Sequence, residues 1–70
     1  MQEFSTYCIE VRGRIAEDDL NTMSPLETTV VRADPAATLF TVRTDQSGLI
    51  GLIRHLHARG VVLLSLTCEP

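Results

Sequence analysis

The segment from Asp45 to Gly60, DQSGLIGLIRHLHARG, constrains the fold more than any other part of this chain, because it marks its own beginning and end. Asp45 is a good helix N-cap, since its side-chain oxygen can accept hydrogen bonds from the free amides of the first turn. Gly60 readily adopts the left-handed conformation that ends helices. An apolar stripe at helical spacing runs between them: Leu49, Leu52, Ile53 and Leu56. The segment predicts a helix over 45–59 with one buried face.

The residues after Gly60 change from this helical period to a continuous apolar run. The run reads VVLLSL over 61–66 and is β-branched at its start, which is typical of a strand. It predicts a last strand over 61–68. Almost no linker separates this strand from the helix before it.

The first part of the chain predicts a strand followed by a short helix. Apolar and polar residues alternate with period two over 5–14, the pattern of a half-buried strand. Three acidic residues at 17–19 favour a helix over 17–23, because negative charge is stabilising near a helix N-terminus. We expect Ser24-Pro25 to end this helix.

Two β-rich runs, 28–34 and 38–44, flank the turn-forming sequence Asp34-Pro35-Ala36-Ala37, which predicts an antiparallel hairpin. The expected register places Val31 opposite Phe40 and Thr29 opposite Val42. We also expect Glu10 in the first strand to lie opposite Arg43 as a weak cross-strand ion pair.

The resulting order, β-α-β-β-α-β, predicts an α+β fold of the ferredoxin-like split βαβ type, with a four-stranded antiparallel sheet and both helices on one face. The alternative is a sheet on which only the second helix is ordered. We expect a single domain over 1–70. At 70 residues the chain is near the lower limit for a self-sufficient core, so self-association would add useful burial.

Charge and composition argue against several classes of partner. The net charge of −3 and pI near 5.1 argue against nucleic acid, because phosphate contacts need a basic surface. No apolar stretch reaches the ~20 residues of a membrane-spanning helix. We expect a cytoplasmic protein, since no secretory signal pattern opens the chain.

The cysteines and histidines do not form a recognisable metal or catalytic pattern, so we expect no metal and no cofactor. Cys8 and Cys68 are expected to face opposite sides of the sheet and to form no disulfide, although a register shift would bring them to one side. His55 and His57 lie far apart around the helix axis and cannot share one ion. We expect His55 to be solvated and His57 to border the apolar stripe.

Residues 45–65, together with Gly13-Arg14-Ile15, carry a resemblance to a group of proteins. The chain resembles small uncharacterised bacterial proteins with a strand ending in Gly-Arg-Leu or Gly-Arg-Ile, a hairpin, and a D-Q-x-x-L-x-G-L-x-R helix that leads into an apolar strand. The resemblance implies the same ferredoxin-like fold and brings no known activity. Gly48 and Gly51, three residues apart in the predicted helix, are expected to allow close approach of the other helix or of a second subunit.

The sheet face opposite the helices is the candidate interface or ligand face. By strand parity this face would carry Arg12, Val30, Arg32, Leu39, Thr41, Arg43, Val61 and Leu63. Its aliphatic members would form an exposed apolar area, which in soluble proteins marks an interface. Alternatively, Arg12 and Arg32 would hold an anion between them.

Three functions are compatible with this pattern, because one fold serves many of them. The first is a non-catalytic binding or regulatory module, a homodimer through the open sheet face or an edge strand, which engages a protein or a small acidic ligand. The second is a small dimeric α+β-barrel enzyme of a cyclase, isomerase or monooxygenase kind, with Tyr7 or His57 as acid or base in a pocket beside Phe40. The third is an accessory subunit. No catalytic triad, metal set or phosphate loop appears in the sequence, which favours the binding module.

Overall fold

The computed structural model describes residues 3–23 and 26–69 and contains four strands and two helices. The elements, in chain order, are β1 (Ser5–Arg12), α1 (Glu17–Met23), β2 (Thr28–Ala33), β3 (Ala37–Thr44), α2 (Gln46–Ala58) and β4 (Leu63–Cys68). The predicted order is confirmed. β1 ends two residues earlier than predicted and β4 begins two residues later. The predicted break at Ser24-Pro25 lies outside the described residues.

The strands form one antiparallel sheet in the order β2-β3-β1-β4. This order, with the helical crossovers between β1 and β2 and between β3 and β4, is that of the ferredoxin-like fold. It places β2 and β4 at the two edges of the sheet.

The core lies between one face of the sheet and both helices. Apolar side chains of β1 and β3 meet the stripe of α2 and one leucine of α1 there, and the buried set is Ile9, Val11, Leu20, Phe40, Val42, Leu49, Leu52 and Leu56. Both helices therefore cover the same face, and the alternative with only the second helix ordered is wrong.

The helix α2 begins and ends as its sequence predicts. The Asp45 carboxylate accepts a hydrogen bond from the Gly48 amide at 2.8 Å. At the other end Gly60 has φ +81°, and its amide donates to the His57 carbonyl while the Val61 amide donates to the Leu56 carbonyl. These two bonds satisfy carbonyls that the last turn leaves free.

The Gly13-Arg14-Ile15 segment fastens the end of β1 to the β2–β3 hairpin. Gly13 has φ +84°, a conformation that favours glycine. The buried hydroxyl of Thr38 donates to the Gly13 carbonyl at 2.7 Å and accepts from the Ile15 amide at 2.8 Å. The Arg14 guanidinium donates to the Ala33 carbonyl at 3.1 Å. These contacts give the motif a structural role in this chain.

Two irregularities in pairing change the predicted registers. In β2, Val30 lies opposite Phe40 and Thr28 opposite Val42, and a bulge at Val31 then brings Arg32 opposite Leu39. The predicted pairs of Val31 with Phe40 and Thr29 with Val42 are therefore wrong. In β4, Ser65 lies opposite Glu10 and Leu63 opposite Val11, which leaves Leu64 without a partner in β1. One extra residue in a strand shifts every later side chain relative to its neighbours.

Candidate functional site

The face of the sheet away from the helices, here called the open face, is polar rather than aliphatic. Among the residues paired in the ladders, alternation from the buried residues of each strand places one large aliphatic side chain on this face, Leu39, among hydroxyl, thiol and charged groups. Its other members are Thr6, Cys8, Glu10, Arg12, Thr29, Arg32, Thr41, Arg43, Ser65 and Thr67.

Five of the predicted face residues are on the open face and three are not. Arg12, Arg32, Leu39, Thr41 and Arg43 lie there as expected. Val30 faces the helices and packs against the core, and so does Val61, which precedes β4. Leu63 lies opposite the buried Val11. The bulges at Val31 and Leu64 are the physical reason, since they break the parity on which the prediction depended.

The arginines of the open face differ in their partners. Arg32 reaches across β3 to Glu10, with 3.8 Å between the guanidinium nitrogen and the carboxylate oxygen, at an exposed position. The predicted pair of Glu10 with Arg43 is wrong, because Arg43 lies opposite Thr6. Arg12 lies opposite Ala37, one row beyond Arg32 and two strands away.

A shallow depression of about 340 Å³ lies on the open face around Arg43. Its other lining residues are three threonines, Thr6, Thr29 and Thr41, together with Val42 and Glu27, which immediately precedes β2. Among the described residues, no carboxylate comes within ion-pair distance of the Arg43 guanidinium. The depression thus combines one available cation with three hydroxyl groups.

The edge strand β4 is the most exposed apolar element of the chain. Every residue from 63 to 68 is exposed, including Leu63, Leu64 and Leu66 at 43%, 44% and 41%. No charged residue occurs between 60 and 68. No described strand lies beyond β4 in the sheet, so its outer backbone groups have no ladder partner within the described chain.

The opposite edge, β2, is closed by α1. The Val30 amide donates to the Glu17 carboxylate at 2.8 Å, and the Thr28 amide donates to the Asn21 side-chain oxygen at 2.8 Å. The Thr28 hydroxyl also donates to that oxygen, at 3.0 Å. The bulge at Val31 and the charge of Arg32 add to this protection, since bulges and edge charges discourage strand pairing.

The sequence pattern predicted only that the acidic residues at 17–19 favour the start of α1, and it did not predict the hydrogen bonds of Glu17 and Asn21 to β2. It also missed Leu64 and Leu66 as surface residues. A signal was available for these leucines, because the predicted topology already places the uncharged run 61–68 at a sheet edge.

The two cysteines lie on opposite faces of the sheet, and the two histidines lie on α2. Both thiols are free; Cys8 lies on the open face opposite Thr67, whereas Cys68 lies opposite Tyr7 on the helix side, as predicted. The surroundings of the histidines are reversed from the expectation: His57 is exposed and His55 is half-buried. Within residues 3–23 and 26–69, no three side chains among His, Cys, Asp and Glu are placed to share a metal ion.

Of the three residues predicted to line an enzyme pocket, Phe40 and Tyr7 lie in or against the core and His57 lies on the surface. Phe40 is fully buried, Tyr7 is half-buried, and His57 is exposed to solvent. The depression around Arg43 lies on the opposite side of the sheet from Phe40.

None of the helices in the described part of the chain is long and apolar enough to cross a membrane.

The comparisons with known proteins identify a family without an assigned activity. No curated protein and no solved structure matches the chain. The family model described as Domain of unknown function (DUF8691) matches residues 6–67, nearly the whole fold, and the chain therefore belongs to this family.

Proposed function

We propose that this chain is a small non-catalytic binding module that self-associates, with two copies pairing along the outer edges of their β4 strands. The observation that carries this proposal is the difference between the two sheet edges. Side chains of α1 occupy the outward amides of β2, whereas the outward groups of β4 have no partner within the described chain. An uncovered, apolar edge strand is a template for pairing with another chain.

The chemistry of β4 favours a second copy as the partner. Each copy carries a net charge of −3, so two copies repel each other over most contacts. The absence of charge between 60 and 68 makes β4 a surface on which two copies meet without opposing like charges. Antiparallel pairing about a two-fold axis also closes the edge in both copies at once, which limits assembly to a dimer.

The apolar side chains of β4 add to the pairing of the backbone. Leu63, Leu64 and Leu66 are each about two-fifths exposed, and Leu66, which lies in the regular part of β4, would lose solvent contact beside a second strand. Burial of apolar surface contributes roughly 25 cal/mol per Å² removed from water. The polar open face offers less of this contribution, so we propose the edge rather than the face as the contact.

The mass of the particle in solution tests this proposal. Light scattering of the unmodified chain should give the mass of two copies, and Leu66→Lys should give the mass of one, because two lysines would meet at the uncharged edge. Val31→Lys is the matched control, since Val31 is an exposed aliphatic residue at 60% on the other sheet edge. A mass of one chain for the unmodified protein at high concentration contradicts the proposal.

We further propose that the depression around Arg43 holds a small acidic ligand. The support is local: an arginine without an ion-pair partner among the described residues, surrounded by the hydroxyls of Thr6, Thr29 and Thr41. A guanidinium binds carboxylates through paired donors, and hydroxyls extend the donor set. Glu27, which also lines the depression, repels a second negative charge, so a monocarboxylate fits better than a dicarboxylate.

Titration with acetate and with malonate, followed by amide chemical shifts, tests the ligand proposal. Acetate should shift resonances of Thr41 and Arg43, and Arg43→Gln should weaken the effect by roughly tenfold, the scale of one charge-assisted hydrogen bond. Arg54→Gln, which removes an exposed arginine on α2, is the matched control and should change nothing. Equal shifts in the two variants would count against a site at Arg43.

A further inference from the structure

The backbone hydrogen bonds between β1 and β4 determine which groups of β4 point outward. The Glu69 amide donates to the Thr6 carbonyl at 2.8 Å, so Glu69 directs its backbone groups toward β1. In an antiparallel ladder the direction alternates along the strand. Ser65 and Thr67 therefore also point inward, and Leu66 and Cys68 direct their amides and carbonyls away from the sheet. The bulge at Leu64 ends this regular stretch.

A two-fold dimer must place outward-pointing residues opposite outward-pointing residues, and three registers meet this condition near Leu66 and Cys68. An axis at Cys68 would pair Cys68 with its own mate and would pair no other outward-pointing residue of the described regular stretch. An axis at Leu66 would put Cys68 opposite the bulge at the partner's Leu64. An axis at Thr67 pairs Leu66 with the partner's Cys68 in both directions, and uses every outward group of the regular stretch.

We propose that two copies join with their two-fold axis at Thr67, which makes one continuous antiparallel sheet from the two four-stranded sheets. This inference rests on the proposed self-association through β4 and specifies its register. Four hydrogen bonds form, two in each of the pairs between Leu66 and the partner's Cys68. Glu69 then lies opposite the partner's Ser65, so no carboxylate lies directly opposite another.

The register makes Thr67 the residue closest to its own symmetry mate. The two copies of Thr67 form a non-hydrogen-bonded pair on the open side, where facing Cα atoms are about 4.5 Å apart. That separation lies within the Cα range of about 4.4–6.8 Å that a disulfide spans. Ser65 lies on the same side of the strand, but in this register it is four residues along the strand from the partner's Ser65. The Cα atoms of these two serines are therefore too far apart for a disulfide.

Disulfide cross-linking of cysteine variants tests the register. The background is Cys8→Ser with Cys68→Ser, because Cys8 lies opposite Thr67 within one chain and would compete for a new thiol. After mild oxidation, Thr67→Cys in this background should run mostly as a linked dimer on a non-reducing gel. Ser65→Cys alone is the matched control and should remain unlinked, whereas Ser65→Cys combined with Glu69→Cys should link.

The outcomes separate failure of the register from failure of the self-association. If the background variant has the mass of two chains but Thr67→Cys does not link, the axis at Thr67 is wrong. In that case, linkage between a Ser65→Cys chain and a Thr67→Cys chain, seen when the two are mixed, indicates an axis at Leu66. If the background variant and the unmodified chain both have the mass of one chain, the proposed function itself fails. Circular dichroism of each variant checks that the fold is retained.

Discussion

The two glycines near the start of α2 have different surroundings, although their spacing suggests one shared purpose. A methyl group at Gly48 would overlap the Thr44 hydroxyl oxygen, and Thr44 is a buried residue at the end of β3. At Gly51 the added methyl group would meet nothing within 4 Å among the described residues. The close approach expected of both glycines is found at Gly48 alone, and it is to the preceding strand rather than to the other helix.

Alanine substitutions at these two positions should therefore change stability in opposite directions. Gly51→Ala should raise the free energy of unfolding by up to about 1 kcal/mol, because alanine is the better helix former. Gly48→Ala should lower it by roughly 1–3 kcal/mol, because the buried Thr44 must shift to make room. Urea denaturation at one fixed chain concentration measures both. A gain of equal size at Gly48 would contradict the close contact with Thr44.

The carboxylate of Asp34, at the β2–β3 turn, should make the stability of the fold depend on pH. Its carboxylate accepts hydrogen bonds from the Ala37 and Ala36 amides, both at 2.9 Å. These backbone bonds, and more weakly the charges of Arg32 and Arg14, hold the pKa of Asp34 below its ordinary value. A carboxyl group whose pKa is lower in the folded chain stabilises the fold above its unfolded pKa, and this stabilisation is lost as the pH falls through the folded value.

The unmodified chain should therefore lose stability below about pH 4, the region of an unperturbed aspartate pKa. Asp34→Asn should lose less over the same range, since it keeps an acceptor oxygen and carries no titrating charge. Thermal melting between pH 2 and pH 7 gives the comparison. Glu3→Gln, at an exposed position before β1, is the control and should follow the unmodified chain, and a parallel curve for Asp34→Asn would contradict the role of this carboxylate.

At the scale of helices and strands, the sequence predicted the order and type of all six elements, and the reason lies in local signals. The cap at Asp45, the stop at Gly60 and the period-two pattern of β1 each depend on neighbouring residues alone. The registers were not predicted, because the bulges at Val31 and Leu64 have no local marker such as glycine. Because the bulges were not predicted, Val30, Val61 and Leu63 were assigned to the wrong face of the sheet.

The contact between α1 and β2 is a tertiary contact that no local sequence pattern predicts. Asn21 serves two donors of the buried Thr28, its amide and its hydroxyl. Asn21→Ala should lower the free energy of unfolding by about 1–3 kcal/mol, since it leaves polar groups of Thr28 without a partner. Asn21→Asp keeps the accepting oxygen and should cost clearly less. Chemical denaturation measures both, and equal losses would show that the hydrogen bonds to Thr28 are not the cause.

The whole molecule combines a small core with one uncovered edge. Among the described residues, eight apolar side chains form the buried cluster, and the aliphatic residues of β4 remain exposed beside it. A chain of this size buries about 60% of its unfolded surface, so its stability as a single copy is marginal. Self-association through β4 would stabilise the fold and close the sheet edge with the same contact.

Stability should then depend on chain concentration, because dissociation accompanies unfolding. Each tenfold increase in concentration should add about 1.4 kcal/mol to the free energy of unfolding of the dimer and raise its melting temperature. Leu66→Lys should melt at one temperature at every concentration, since its edge no longer pairs, whereas Val31→Lys should follow the unmodified chain. Calorimetry over a hundredfold concentration range measures this dependence, and a constant melting temperature for the unmodified chain would indicate that β4 stays unpaired in the folded state.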